Sequence, residues 1–200
     1  MEYLLRTKVT TPLRRMGIGF IFIIIKVNFH INSYSFDIFA DFIGFFLIYR
    51  AAVVLSEKTS AFHVVSWLAL LLSILSLPKN FMPSVSTAET FQTISVGNHI
   101  YTQGLQLLMI ILLYFIYKGL CDLPLWYYIR SGLLKQSMQK RSLWLIGCLM
   151  LEMLIYPFFL NLVEDKLVFV IVPVLLSAIL CILFVRVLYR MAKAAEHIRG

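Results

Sequence analysis

The chain has 200 residues, of which 60% are hydrophobic and only 14% charged, with a formal net charge of +8 and a mean hydropathy of +0.86. Soluble domains carry about one-quarter charged residues, so an ordinary soluble protein is excluded. The apolar runs are solid rather than alternating, which argues against a β-barrel and predicts an all-α polytopic membrane protein partnered by the lipid bilayer.

Taken in chain order, the first fifteen residues carry Arg6, Lys8, Arg14 and Arg15 ahead of an apolar run over 16–31. No small-x-small cleavage pattern follows, so the run is read as a retained first span. Lys26 interrupts it, which leaves a re-entrant or tilted helix as the alternative. A polar turn, Asn32 to Ser35, leads to a second span over 36–55. A short loop ends in Thr59 and Ser60, which can cap a third span over 61–77; Pro78 stops that helix. The segment 78–98 reads as an exposed loop.

The fourth span, 99–118, has Gln103 and Gln106 in its outer half. The segment 119–141 mixes Trp126, Tyr127 and Tyr128 with Arg130, Lys135, Lys140 and Arg141, a pattern suited to the membrane interface. The fifth span, 142–163, holds Glu152 near its middle and Pro157 beyond it. A tight turn precedes the sixth span, 167–189, and a basic, helix-prone tail ends the chain.

The basic residues sit in loops and tails beside the apolar runs, where they set topology rather than bind nucleic acid. Counted loop by loop, they predict one bundle of six transmembrane helices in the cytoplasmic (inner) membrane, with both termini cytoplasmic. Cys121, Cys148 and Cys181 show no CxxC spacing and read as small apolar filler.

Acids inside apolar runs are the strongest anomaly. At about 100° per residue, Asp37, Asp41, Gly44, Ile48 and Ala51 share one stripe of the second span, which must face protein or water. Reflection through a hairpin centred between Ser33 and Tyr34 places Lys26 level with Asp41 and His30 level with Asp37. Snorkelling of Lys26, a structural Lys26–Asp41 pair and a substrate or ion site all remain open there.

The last hairpin, treated the same way, places Glu152 level with Ser177 and Cys148 level with Cys181. Glu152 sits roughly 15 Å from either boundary, where an unpaired carboxylate is costly. An interhelical hydrogen bond, a proton- or cation-coupled site, a catalytic or metal role with the cysteines, and a wet cavity all fit it. His63 and His99, near span ends, read as wet interfacial residues.

GxSxG, HExxH, EExxxR, P-loop and paired-Asp phosphotransfer patterns are missing, so catalysis, a metal centre and a cofactor are not expected. The run Asp41 to Ile48, DFIGFFLI, follows a polar turn and a short span. It resembles uncharacterised bacterial integral membrane proteins with D-F-I-G, an aromatic and a Leu/Ile run at the second helix. Those often place Leu-Pro before the Asp, where this chain has Phe39-Ala40. Size and topology also look like the substrate-binding subunits of energy-coupling-factor vitamin transporters. The small-residue motif of their first helix is replaced here by Phe and Ile.

The expectation is therefore a small transport or solute-binding subunit. It would take a small solute or cation in a cavity lined by Asp41, Glu152 and Gln106, with Lys26 and Asp37 as further candidates. The alternatives are a structural or regulatory partner of other membrane subunits, and a membrane-embedded enzyme using Glu152 as acid or base.

Overall fold

The computed structural model of the protein describes residues 2–25, 28–31, 34–37, 41–78, 95–128, 132–159 and 168–196, with side chains described over 9–25, 41–78, 95–127, 132–158 and 172–196. Among them are α1 (Glu2–Ile24), β1 (Asn28–Ile31), β2 (Tyr34–Asp37), α2 (Asp41–Ser56) and α3 (Ala61–Leu75). These are followed by α4 (Val96–Cys121), α5 (Leu125–Tyr128), α6 (Gly132–Phe159) and α7 (Val168–Glu196). Three helical segments, Val96–Cys121, Gly132–Phe158 and Val172–Glu196, are long and apolar enough to cross a membrane; Ala61–Leu75 is apolar but shorter.

Each long helix packs on its neighbour in sequence, and the ring then closes. Helix α1 packs on α2, α2 on α3, α3 on α4, α4 on α6, α6 on α7, and α7 returns to α1. Side-chain ties show that successive helices run antiparallel. Ser73, late in α3, donates to the carbonyl of Phe42 at the start of α2 (2.9 Å). Tyr101, early in α4, donates its hydroxyl proton to the Leu75 carbonyl at the end of α3. Arg141, early in α6, donates to the Leu183 carbonyl of α7 (3.1 Å). The β-ribbon therefore joins α1 to α2 at one end of the ring, the hairpin end.

The predicted continuous helix over 16–31 stops at Ile24, and Asn28–Ile31 pairs antiparallel with Tyr34–Asp37. The strand Asn28–Ile31 holds Asn, Phe, His and Ile, none of them a strong helix former, and pairing with Tyr34–Asp37 gives its backbone groups partners outside a helix. The register sets Asn28 opposite Asp37 and His30 opposite Ser35, so His30 and Asp37 are not directly opposed as the helical reflection expected. That reflection assumed helical rise on both arms, whereas a strand advances about 3.3 Å per residue with period two. The Lys26 and Asp37 side chains, and the pairings proposed for them, lie outside the described residues.

At the other end the ring is solid. Leu13, Met16 and Phe20 of α1 meet Ile48 and Leu55 of α2, Phe62 of α3, Ile116 and Leu120 of α4, Met138 of α6 and Phe184 of α7, all fully buried. Phe20 and Phe184 stack edge to face at 5.4 Å, a geometry that aligns the ring edge of one with the π-face of the other. Of the stripe predicted on the second span, Asp41, Gly44, Ile48 and Ala51 are all buried on α2, but Asp37 is not on it: the helix starts at Asp41, not at Phe36, and Asp37 ends strand β2. Large apolar side chains cover the outside instead, Trp67, Trp144, Leu154 and Ile182 each more than half exposed. Such a surface suits lipid.

Helix ends follow local chemistry. Ser95, in extended conformation, accepts from the Asn98 amide and caps α4. Ser60 does not cap α3: its backbone is already helical, which turns the hydroxyl away from the free amides. The interfacial segment expected over 119–141 is largely helical, with α6 starting at Gly132. Within it Trp126 donates its indole N–H to the Leu120 carbonyl (2.6 Å), and the Lys135 ammonium lies 5.9 Å from the Trp126 ring centre.

Candidate functional site

Between the solid end and the hairpin end the ring encloses a cavity of about 380 Å³. It is lined by the end of α1 (Ile23, Ile24), the start of α2 (Asp41, Phe45) and Ser76 just beyond α3. The early turns of α4 contribute Thr102, Leu105, Gln106 and Met109; α6 contributes Leu145, Leu149 and Glu152; α7 contributes Val174, Ser177, Ala178 and Cys181. All six ring helices or their immediate ends take part. One turn deeper on α1, α2 and α7 stand Phe20, Ile48 and Phe184, each fully buried, so the space has a floor and is not a pore.

The ring brings Asp41, Gln106 and Glu152 to one wall system although they lie on three different helices. Asp41 is 7% exposed and opens α2, where a carboxylate faces the positive end of the helix dipole. Gln106 donates its amide N–H to the Leu149 carbonyl of α6 (3.3 Å), tying α4 to α6 beside Glu152. The Glu152 carboxyl lies within hydrogen-bonding reach of Ser177 across the α6–α7 contact. Its Oε1 is buried with no hydrogen-bond partner among the described residues.

Cys148 meets the Pro173 carbonyl of α7 at 4.0 Å, whereas Cys181 borders the cavity; all three cysteines are free thiols. Among the described residues no cluster of His, Cys, Asp or Glu could hold a metal ion.

Several wall and rim residues gave no sequence signal. Ser76 and Thr102 are unremarkable polar residues near helix ends, and their place on the wall depends on helix rotation. His99 is buried, not wet: its Nδ1 lies 2.8 Å from the Tyr156 hydroxyl, joining α4 to α6 on the hairpin side of Gln106. Its position four residues before Gln103, at the start of an apolar helix, was the only available hint.

Charge divides along the bundle axis. Asp41 and Glu152 stand in the hairpin half, while the described Lys and Arg residues, among them Arg50, Lys118, Lys140, Arg186 and Arg190, lie toward the solid end. No described Lys or Arg borders the cavity. No known protein family, no curated protein and no solved structure matches this chain.

Proposed function

We propose that this chain is a non-catalytic multi-pass membrane protein that binds a small solute in its six-helix cavity, as a transport or solute-binding subunit. The observation that carries the reading is the cavity floored at the solid end, walled by five ring helices and by Ser76 just beyond α3, and bearing Asp41, Gln106 and Glu152 on mostly apolar walls. Its volume falls in the range of small-ligand sites, which are mostly apolar with a few convergent polar groups. A filled floor is suited to binding or occluding a solute, and a transporter would need a second conformation to release it.

In this reading all six ring helices are membrane spans. Helices α2 and α3, at 16 and 15 residues, span only about 23 Å at 1.5 Å per residue, so the bilayer thins around them or their flanks complete the crossing. The concentration of Lys and Arg toward the solid end supports a cytoplasmic location for that end and for both termini. The cavity then lies toward the outer side.

Thermal unfolding of the purified protein in detergent, against a panel of small amines, alcohols, carboxylates and sugars, tests the reading. At least one compound should raise the midpoint of the wild type, and Ala178→Phe, which fills the cavity, should abolish the response. A panel without effect, or a filled variant that still responds, would remove the cavity as a binding site.

A further inference from the structure

The polar wall of the cavity is short of protons to offer. Ser76 turns its hydroxyl to the Ser73 carbonyl (3.0 Å), and Thr102 turns its hydroxyl to the Asn98 carbonyl (2.9 Å). Ser177 has one hydroxyl proton, which goes either to the Val174 carbonyl at 3.0 Å or to the Glu152 carboxyl within its reach. Back-bonding of this kind is usual for Ser and Thr inside helices, but here it has a consequence for a ligand. What these groups present to the cavity is lone pairs. The Gln106 amide spends one N–H on the Leu149 carbonyl, leaving, among the described lining residues, a second N–H and the weak Cys181 thiol as donors.

Acceptors are in surplus. Glu152 lines the cavity, and its Oε1 is buried without a hydrogen-bond partner among the described residues. A buried carboxylate oxygen left unpaired is costly, and a charged donor offsets that cost best. Most of the remaining wall is hydrocarbon: Ile23, Phe45, Leu105, Met109, Leu149 and Val174. An inorganic cation would need five or more oxygen ligands at close range and would leave that hydrocarbon unfilled.

We infer that the occupant is an organic amine: a protonated nitrogen held at Glu152, with the Ser177 and Gln106 oxygens as further acceptors, and an apolar body packed against the Ile23–Phe45–Met109 side. This deepens the proposed solute-binding function and rests on it.

The test uses the full-length protein in detergent and three matched probes: 2-phenylethylamine, 2-phenylethanol and phenylacetate. The amine should raise the unfolding midpoint in a saturable way, while the alcohol and the acid should not. Glu152→Gln should weaken amine binding about tenfold or more, the loss expected for one charge-assisted hydrogen bond, and Ala178→Phe should abolish it. Equal stabilisation by the alcohol or the acid would overturn the inference, as would equal stabilisation by sodium chloride alone.

Should none of the three probes act while only alcohols, carboxylates or sugars of the wider panel do, the amine assignment falls and the solute-binding reading stands. An amine of the panel acting alone keeps the assignment and changes only the shape of the apolar body. Should nothing in either set act, both fall. If Glu152→Gln does not fold, the isostere comparison in the wild type, with Ala178→Phe as the control for site, still decides the matter.

Discussion

Gly19 of α1 and Gly44 of α2 touch backbone to backbone. A Cβ added to Gly19 would lie 2.7 Å from the Gly44 carbonyl oxygen, and one added to Gly44 would lie 2.6 Å from the Gly19 carbonyl oxygen. Small residues at a crossing let two helices approach this closely, and dispersion contacts along the seam then hold them. The contact sits one turn from Asp41 and from Ile23, so it also sets the width of the cavity at its α1–α2 wall.

Gly44→Ala should therefore force the two helices apart and destabilise the bundle by about 1–3 kcal/mol, the usual cost of overpacking. Gly104→Ala is the control, because nothing lies within 4 Å of the position a Cβ would take there; it should be neutral or slightly stabilising. Parallel thermal melts in one detergent compare the two, and a Gly44→Ala melt matching the wild type would show that the seam can relax.

Phe184 lies under the cavity, 1% exposed and edge to face with Phe20. Phe184→Ala should cost about 3–5 kcal/mol through lost burial and the void left behind. The void adjoins the cavity floor, so a ligand too long for the wild type should bind this variant. A melt shift near zero would mean that neighbouring side chains collapse into the gap.

The His99–Tyr156 contact fastens α4 to α6 where the cavity faces the hairpin end. Tyr156→Phe removes the hydroxyl and should cost about 1 kcal/mol, the net worth of a typical hydrogen bond. A double-mutant cycle with His99→Phe should return a coupling of at least about 0.5 kcal/mol. Strict additivity would mean that the two side chains are neighbours without a working bond.

Arg14 and Glu196 approach to 2.7 Å and join α1 to the end of α7, with side chains 49% and 29% exposed. Solvent screens such a pair, so Arg14→Ala should cost no more than about 1 kcal/mol, and the difference should shrink in high salt. The ring closure between α1 and α7 rests instead on the apolar contacts around Phe20, Phe184 and Leu188.

Topology can be read directly. Cysteines placed singly at Lys58, in the α2–α3 turn, and at Ser95, before α4, on a background without the native thiols lie at opposite ends of the ring. A membrane-impermeant maleimide applied to intact cells should label the Ser95 site and spare the Lys58 site. The reverse pattern would invert the proposed orientation, and labelling of both would mean that the ring does not span the bilayer.

The helical class of this chain is written in its apolar runs, because run length and hydropathy depend on composition alone. Asp41 and Glu152 stand out for a similar reason: an acid within such a run is costly unless something compensates for it. The inward stripe of α2 follows from the helical period.

Period and length leave two things open, and the tertiary structure decides both. One is the azimuth of each helix about its axis, which makes Asp41, Gln106, Glu152, Ser76 and Thr102 face one space; it is set by packing such as the Gly19–Gly44 contact and the closure of α7 on α1. The other is the conformation of the chain after α1. There, helical and extended states differ little locally, and pairing of Asn28–Ile31 with Tyr34–Asp37 selects the strand. The sequence thus determines where the helices and the costly acids fall along the chain. Only the packed ring decides that the acids share a cavity, because contacts between residues far apart in the chain fix the rotations.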